Sequence, residues 1–160
     1  MNIWIRIATS ADLPELLALV RDVLTTSLDA SAASIRSLKD NAVKNEIWAD
    51  AHPDKCVHLV AAVEGAVVGV VMIKEHWNLC NLFVHPSMHR QGVGNVLLRR
   101  AVEAARGVNS SRPIELYAVP AATGFYRRIG FTPTGRSREG AEHMILEPRI
   151  RNSSSPHCAA

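Results

Sequence analysis

Two glycines one residue apart, Gly92 and Gly94, stand in the stretch HRQGVGNVLLR, which also carries arginines and an apolar run at helical spacing. The first amides of a helix lack acceptors within it and sit at the positive end of its dipole, so such a turn can bind an anion. Arg90 would add a full charge, and a phosphate could approach a glycine backbone closely. The stretch lacks the third glycine of a Rossmann fingerprint and the Gly-Lys-Ser/Thr of a P-loop. Alone, it leaves two interpretations open, a phosphate-binding loop and a tight packing turn.

Histidines and cysteines are the other reactive groups, and their spacing argues against a metal or a covalent centre. His85 and His89 stand four residues apart, but Pro86 breaks the helical face that a pair of zinc ligands needs. Cys80 lies in an apolar run without a residue to activate it, which is typical of packing. The three cysteines form no CxxC pair, so we expect neither a metal nor a disulfide framework.

The spacing of apolar side chains predicts the elements that position these residues. Strands are predicted at 3–8, 57–63, 66–73, 78–84, 113–119, 131–134 and 142–147, and helices at 13–24, 31–50, 93–106 and 121–129. The second helix is expected to turn Ile35, Leu38, Val43 and Ile47 inward, and GRSREG is expected to connect the last two strands. This order predicts an α/β (α+β) fold with helices on both faces of a sheet.

Three stretches, IRIATSADLPELLAL, NLFVHPSMHRQGVGNVLL and AATGFYRRIGF, together resemble the GNAT acetyltransferase superfamily over residues 3–147. The resemblance implies a single domain at 1–148, with a mixed, mostly antiparallel sheet of six to seven strands and about four flanking helices. Residues 149–160 would form a C-terminal tail. The implied co-substrate is acetyl-CoA, whose pyrophosphate the glycine turn would bind. The implied contacts are Phe83, Val84, Arg90, Gln91, Gly92, Val93, Gly94 and Asn95.

Acetyl transfer to an amine needs a donor to the carbonyl oxygen, a proton for the departing thiolate and a way to deprotonate the amine. The resemblance assigns the second role to the phenol of Tyr126; the alternative is that Tyr126 only packs beside Phe125. It assigns the first role to a backbone amide, that of Phe83 or Val84. Many relatives place a glutamate on the fourth strand, but NLCNLFV has none. The proton could leave through water to one of three residues, Glu75, His76 or Asn81, and no base is assigned.

The predicted function is N-acetyl transfer by direct attack of a primary amine, on a small molecule or a peptide. The alternative is an acyl-CoA-binding sensor or interaction module without turnover. Three departures from the family pattern motivate it: the missing glutamate, Val119 where asparagine is frequent, and His89 where arginine or glutamine is usual.

Composition bounds the partners and the compartment. The net charge is +3, but the sequence has neither a long basic run nor aromatics interleaved with basic residues. We therefore expect no nucleic-acid partner. The most apolar stretch, residues 59–73, contains Glu64 and two glycines, so no membrane span is expected. The cysteine pattern and the lack of a recognisable signal peptide favour the cytoplasm. The resemblance also allows for a homodimer.

Overall fold

The computed structural model describes residues 2–26 and 31–149. Its strands form one sheet in the order β1-β2-β3-β4-β5-β7-β6, antiparallel except between β4 and β5. The strands are β1 (Ile3–Ile7), β2 (Cys56–Val63), β3 (Ala66–Lys74), β4 (Asn78–Val84), β5 (Ile114–Ala118), β6 (Thr132–Arg138) and β7 (Ala141–Leu146); the helices are α1 (Leu13–Thr26), α2 (Ala32–Ala51), α3 (Val93–Val108) and α4 (Thr123–Ile129). The predicted fold class, element order and strand number are confirmed. The predicted tail lies outside the described residues except for Arg149.

Both faces of the central strands are buried, which explains why β2 and β3 are almost continuously apolar. Val60 and Val70 pack against α1, whereas the next residues along, Ala61 and Val71, belong to the core under α3. Successive strand side chains point to opposite faces, so α1 and α3 cover opposite sides of the sheet. In the part of the chain that the structure describes, no helix is long and apolar enough to cross a membrane.

Helix α3 sits close against β3 because Gly69 has no side chain. A Cβ atom at this position would lie 2.9 Å from the Leu97 side chain and 3.3 Å from that of Val93. Leu97 and Val93 belong to the apolar stripe predicted for this helix, and both are buried. The close packing fixes α3, and with it the glycine turn that precedes it.

The predicted inward face of α2 is wrong at two of its four positions, whereas Val43 packs as expected against the core of Val20, Leu24 and Ala42. Leu38 and Ile47 are 37% and 49% exposed, and the buried positions are instead Ala42, Glu46 and Ala49. These three positions share one helical face, but two are small and one is charged, so the apolar pattern did not reveal it. Burial of this face depends on polar partners for Glu46 in the sheet.

The predicted connection of the last two strands is also wrong. Most of GRSREG is strand, because β6 extends to Arg138 and β7 begins at Ala141, which leaves a tight turn at Glu139 and Gly140. Strand β6 lies at the edge of the sheet and is exposed along its whole length. An edge strand without a buried face carries no apolar alternation, so periodicity could not indicate it.

Candidate active site

A cleft opens where β4 and β5 separate. The two parallel strands are paired at Asn78 and Glu115, and the recorded pairing goes no further. In the register with β3, Leu79 opposes Ile73 and Asn81 opposes Met72, so Cys80 is an extra residue in β4. Such a bulge bends its strand and increases the local twist. The gap between β4 and β5 therefore connects the two faces of the sheet.

The cleft has a volume of about 640 Å³ and draws its lining from α1, α2, β3, β4, β5, α4 and β6. Phe83 of the predicted site lines it, as does Tyr126. Asn81 lies on the α2 side, while Tyr126 belongs to the core beneath α3. A ligand in the gap could therefore contact groups from both faces of the sheet.

The glycine turn presents free backbone donors beyond the end of β4. Within the described residues, no hydrogen bond is recorded from the amides of residues 90–95; the first to pair is that of Val96, 3.1 Å from the Gly92 carbonyl oxygen. Gly92 has φ of 78° and Arg90 φ of 65°, the left-handed region in which glycine is unstrained. A Cβ at Gly92 would meet nothing within 4 Å. We call residues 90–95 the anion loop.

The members of the anion loop differ in what their side chains can do. Arg90 and Gln91 are exposed, whereas Val93 is buried and its side chain packs in the core, so it can offer a ligand only its backbone amide. The Asn95 side-chain oxygen accepts a hydrogen bond from Arg99 at 2.5 Å. A Cβ at Gly94 would lie 3.5 Å from the Phe125 ring, which is ordinary contact.

His89, which stands where the family usually has arginine or glutamine, ties the anion loop to the strand. Its Nε2 lies 2.9 Å from the carbonyl oxygen of Val84, the last residue of β4. His85 is also bonded locally, with Nδ1 2.7 Å from the Ser87 hydroxyl. Among residues 2–26 and 31–149, no group of three His, Cys, Asp or Glu side chains is placed to hold a metal ion.

Tyr126 combines a buried ring with a hydroxyl that has no hydrogen-bond partner among the described residues. Its ring makes edge-to-face contacts with Phe125 and Phe131, at centroid distances of 5.2 and 5.7 Å. Burial raises the pKa of the phenol well above its ordinary value, so the group keeps its proton at neutral pH. Tyr126 therefore packs in the core, and its hydroxyl is a protonated donor that lines the cleft.

Of the three residues named as routes for the amine proton, Asn81 is fully engaged. Its side-chain nitrogen donates to the Ala42 carbonyl oxygen and to Glu46 Oε1, each at 3.0 Å, and its oxygen accepts from Asn45 at 3.2 Å. Glu75 and His76 lie in the β3–β4 turn, where Glu75 is exposed. His76 lines a separate cavity of about 380 Å³ beside His58.

Sequence reasoning missed the buried polar cluster of Glu46, His58 and Asn81. Glu46 is completely buried, and its second carboxylate oxygen lies 2.6 Å from His58 Nε2. The signal was the presence of His58 and Asn81 inside otherwise apolar strands, VHLVAAV and NLCNLFV. A buried polar side chain needs a partner, and here both partners meet one carboxylate of α2.

Comparison with known proteins gives a consistent result. The family model described as "Acetyltransferase (GNAT) domain" matches residues 26–146. Serotonin N-acetyltransferase 2, chloroplastic, from Oryza sativa subsp. japonica is 35% identical over 75 residues, which are 47% of this chain and 37% of that protein. Peptidyl-lysine N-acetyltransferase YjaB from Salmonella typhimurium is 29% identical over 93 residues, 58% of this chain and 61% of that protein.

The crystal structure of PaiA N-acetyltransferase from Thermoplasma acidophilum in complex with coenzyme A has the same fold. It superposes with a TM-score of 0.76 at 19% identity, covering 92% of this chain and 99% of that one. At this identity the likeness establishes the fold alone.

Proposed function

Because the chain belongs to the GNAT acetyltransferase family, we propose that it transfers an acetyl group from acetyl-CoA to a primary amine. The observation that carries the proposal is the run of unpaired amides in the anion loop, beside a cleft that Tyr126 lines. A pyrophosphate is the group that such amides and Arg90 would bind. The coenzyme A complex of the PaiA relative supports the choice of ligand.

The first chemical step is attack of the neutral amine on the thioester carbonyl carbon, which forms a C–N bond and places negative charge on the carbonyl oxygen. The backbone amide of Val84 would donate to this oxygen. The His85 amide donates to β3, to the Val68 carbonyl oxygen at 2.8 Å, and alternation along the strand directs the Phe83 amide the same way, so that of Val84 faces away from β3. On that side, β4 and β5 pair only at Asn78 and Glu115 within the described residues, so the Val84 amide faces the gap and not a neighbouring strand. A fixed dipole of this kind costs no reorganisation when the charge develops.

The second step breaks the C–S bond and releases coenzyme A as a thiol. The electron pair of the bond goes to sulfur, and the Tyr126 hydroxyl would supply the proton. The raised pKa of Tyr126 ensures that the donor is protonated before the reaction. The amine proton would leave to water, since no carboxylate is among the described residues that line the cleft. The phenolate would then recover its proton from solvent.

A second candidate function rests on that same missing carboxylate. A domain that binds acyl-CoA without turnover needs the anion loop but needs neither a base nor an acid at the sulfur. The two functions differ in whether thiol is released when an amine is added.

The test measures thiol release from acetyl-CoA with a panel of primary amines, together with coenzyme A affinity by calorimetry. We expect turnover, and we expect Tyr126→Phe to lower kcat about 100-fold while the Kd for coenzyme A stays unchanged. Phenylalanine keeps the ring contacts with Phe125 and Phe131, so folding is preserved. Tight binding without turnover for every amine would favour the binding module instead.

A further inference from the structure

The charged side chains that line the cleft are all cationic. Lys44 comes from α2, Lys74 from the end of β3 and Arg138 from the end of β6. No aspartate or glutamate is among the described lining residues, and the other strongly polar ones are asparagines. Three separate elements therefore bring positive charge to one cleft without a neutralising partner in its walls.

Two of these cations rest on aromatic rings rather than on carboxylates. The Lys74 nitrogen lies 4.5 Å from the centre of the Trp48 ring, and the Arg138 guanidinium lies 4.2 Å from that of Tyr117. An aromatic face orients a cation but leaves its charge available to a ligand. Elsewhere the chain pairs arginines with acids, as in Arg6 with Asp12 at 2.7 Å.

These cations are placed apart from the loop that would bind the coenzyme's pyrophosphate. Lys74 pairs with Asn78 at the start of β4, whereas the anion loop follows the end of that strand. A strand of this length separates its ends by roughly 20 Å. Arg138 lies on β6, beyond β5 and β7 in the sheet. The charge of the cleft is therefore available to the acceptor.

Positive charge in the cleft affects both which acceptor amines bind and how readily a bound amine loses its proton. It repels a polyamine or a lysine-rich peptide and attracts an anionic group, with which an arginine can form two parallel hydrogen bonds. A nearby like charge also lowers the pKa of the acceptor's ammonium group, which raises the neutral fraction. This effect matters in a cleft that offers no carboxylate base.

We propose that the acceptor is a small amine that carries an anionic group, a carboxylate or a phosphate, held by Arg138, while Lys74 and Lys44 add positive charge to the rest of the cleft. The proposal rests on the acetyl transfer proposed above. The anionic group would bind the Arg138 guanidinium, and the amino group would face the thioester in the gap between β4 and β5.

The experiment compares matched amines in the thiol-release assay. The acceptors are ω-amino acids of two to six carbons, their neutral amides, the diamines of equal length and the corresponding aminoalkyl phosphates. We expect kcat/KM for the best anionic amine to exceed that of its amide about tenfold or more, with the diamine lowest. The carboxylate and phosphate arms identify the anionic group, and added salt should reduce the preference.

Single-residue variants test which cations cause the preference for an anionic amine. Arg138→Gln should raise KM for the anionic amine about tenfold, Lys74→Gln should raise it by a smaller factor, and neither should affect the amide. Lys55→Gln removes the same charge from an exposed site outside the cleft and should leave both substrates unchanged. Thiol release that is equal or faster with amides or diamines would overturn the inference while leaving acetyl transfer intact. Absence of release with every amine would overturn the proposed function itself. If a variant does not fold, the wild-type ratio of anionic amine to amide still decides.

Discussion

The anion loop and the buried cluster of Glu46, His58 and Asn81 lie on opposite faces of the sheet. They differ in whether their polar groups have hydrogen-bond partners within the protein. In the loop, the amides of residues 90–95 have no recorded acceptor in the described chain. In the cluster, Glu46 accepts from Asn81 at 3.0 Å and lies 2.6 Å from His58. Four of the six loop residues, 90–92 and 95, are exposed, whereas the carboxylate of the cluster is completely buried.

This difference in hydrogen bonding distinguishes a site suited to binding a ligand from one that stabilises the fold. Unpaired exposed amides cost little because water satisfies them, and a phosphate can replace that water. Buried polar groups must be satisfied within the protein, and removing one member leaves the others unpaired. Damage to the loop should therefore appear in binding, and damage to the cluster in stability.

The largest expected effect is that of Gly92→Glu on coenzyme A binding. The new side chain meets open space, so the fold should persist, but its carboxylate would stand where the pyrophosphate is expected. We expect the Kd for coenzyme A, measured by calorimetry, to rise at least about 100-fold. Gly92→Gln adds the same bulk and the same strain at φ of 78° without the charge, and it should bind clearly better. Equal losses in both variants would indicate that shape rather than charge governs the loop.

The next effect concerns Glu46→Ala, which leaves His58 and Asn81 without their shared acceptor. We expect the free energy of unfolding to fall by about 3 kcal/mol in urea denaturation. Glu46→Gln should cost less, because an amide oxygen can still accept from Asn81. Glu103→Ala, at an exposed position of α3, serves as the control and should change stability by less than about 0.5 kcal/mol. A stable Glu46→Ala protein would contradict the structural role of the cluster.

The contrast between the loop and the cluster also explains which parts of the structure could be predicted from the sequence. The anion loop consists of consecutive residues between a strand and a helix, so HRQGVGNVLLR predicted its position, whereas its ligand class comes from the family resemblance and stays a prediction. Continuous apolar runs likewise predicted the buried strands and α3. These features depend on local spacing, which a sequence displays directly.

The cationic lining of the cleft could not be predicted because no local pattern encodes it. Lys44, Lys74 and Arg138 lie far apart in the chain and line one cleft only in the folded protein. The buried face of α2 carries Glu46 where the apolar pattern pointed to Ile47, because the partners of that carboxylate come from β2 and β4. Such pairs require the strand order and register, which periodicity alone does not supply.

Acid should weaken the start of α1, the helix that carries Val23 and Leu24 to the acceptor side of the cleft. Asp12 is bonded by both Arg6 nitrogens, at 2.7 and 2.8 Å, which lowers the pKa of its carboxyl to about 2. The folded-state pKa lies below the unfolded value, so the stabilisation is complete above about pH 4 and is lost as pH falls toward 2. We expect about 2 kcal/mol to disappear over this range, measured by denaturation against pH. Asp12→Asn should flatten that part of the profile, and an unchanged slope would exclude Asp12 as its source.

The smallest effects test the packing of α3 against β3, which positions the anion loop. Gly69→Ala would place a Cβ 2.9 Å from the end of the Leu97 side chain, so this side chain or the helix that carries it must move, and we expect a loss of about 1–2 kcal/mol. Gly107→Ala, near the end of α3 and in open space, should instead stabilise by about 0.5–1 kcal/mol through helix propensity. Thermal unfolding measures both changes. Since the last three residues of the loop, 93–95, open α3, Gly69→Ala should also weaken coenzyme A binding, whereas Gly107→Ala should not. Equal coenzyme A affinity in both variants would show that the loop keeps its shape independently of the packing beneath it.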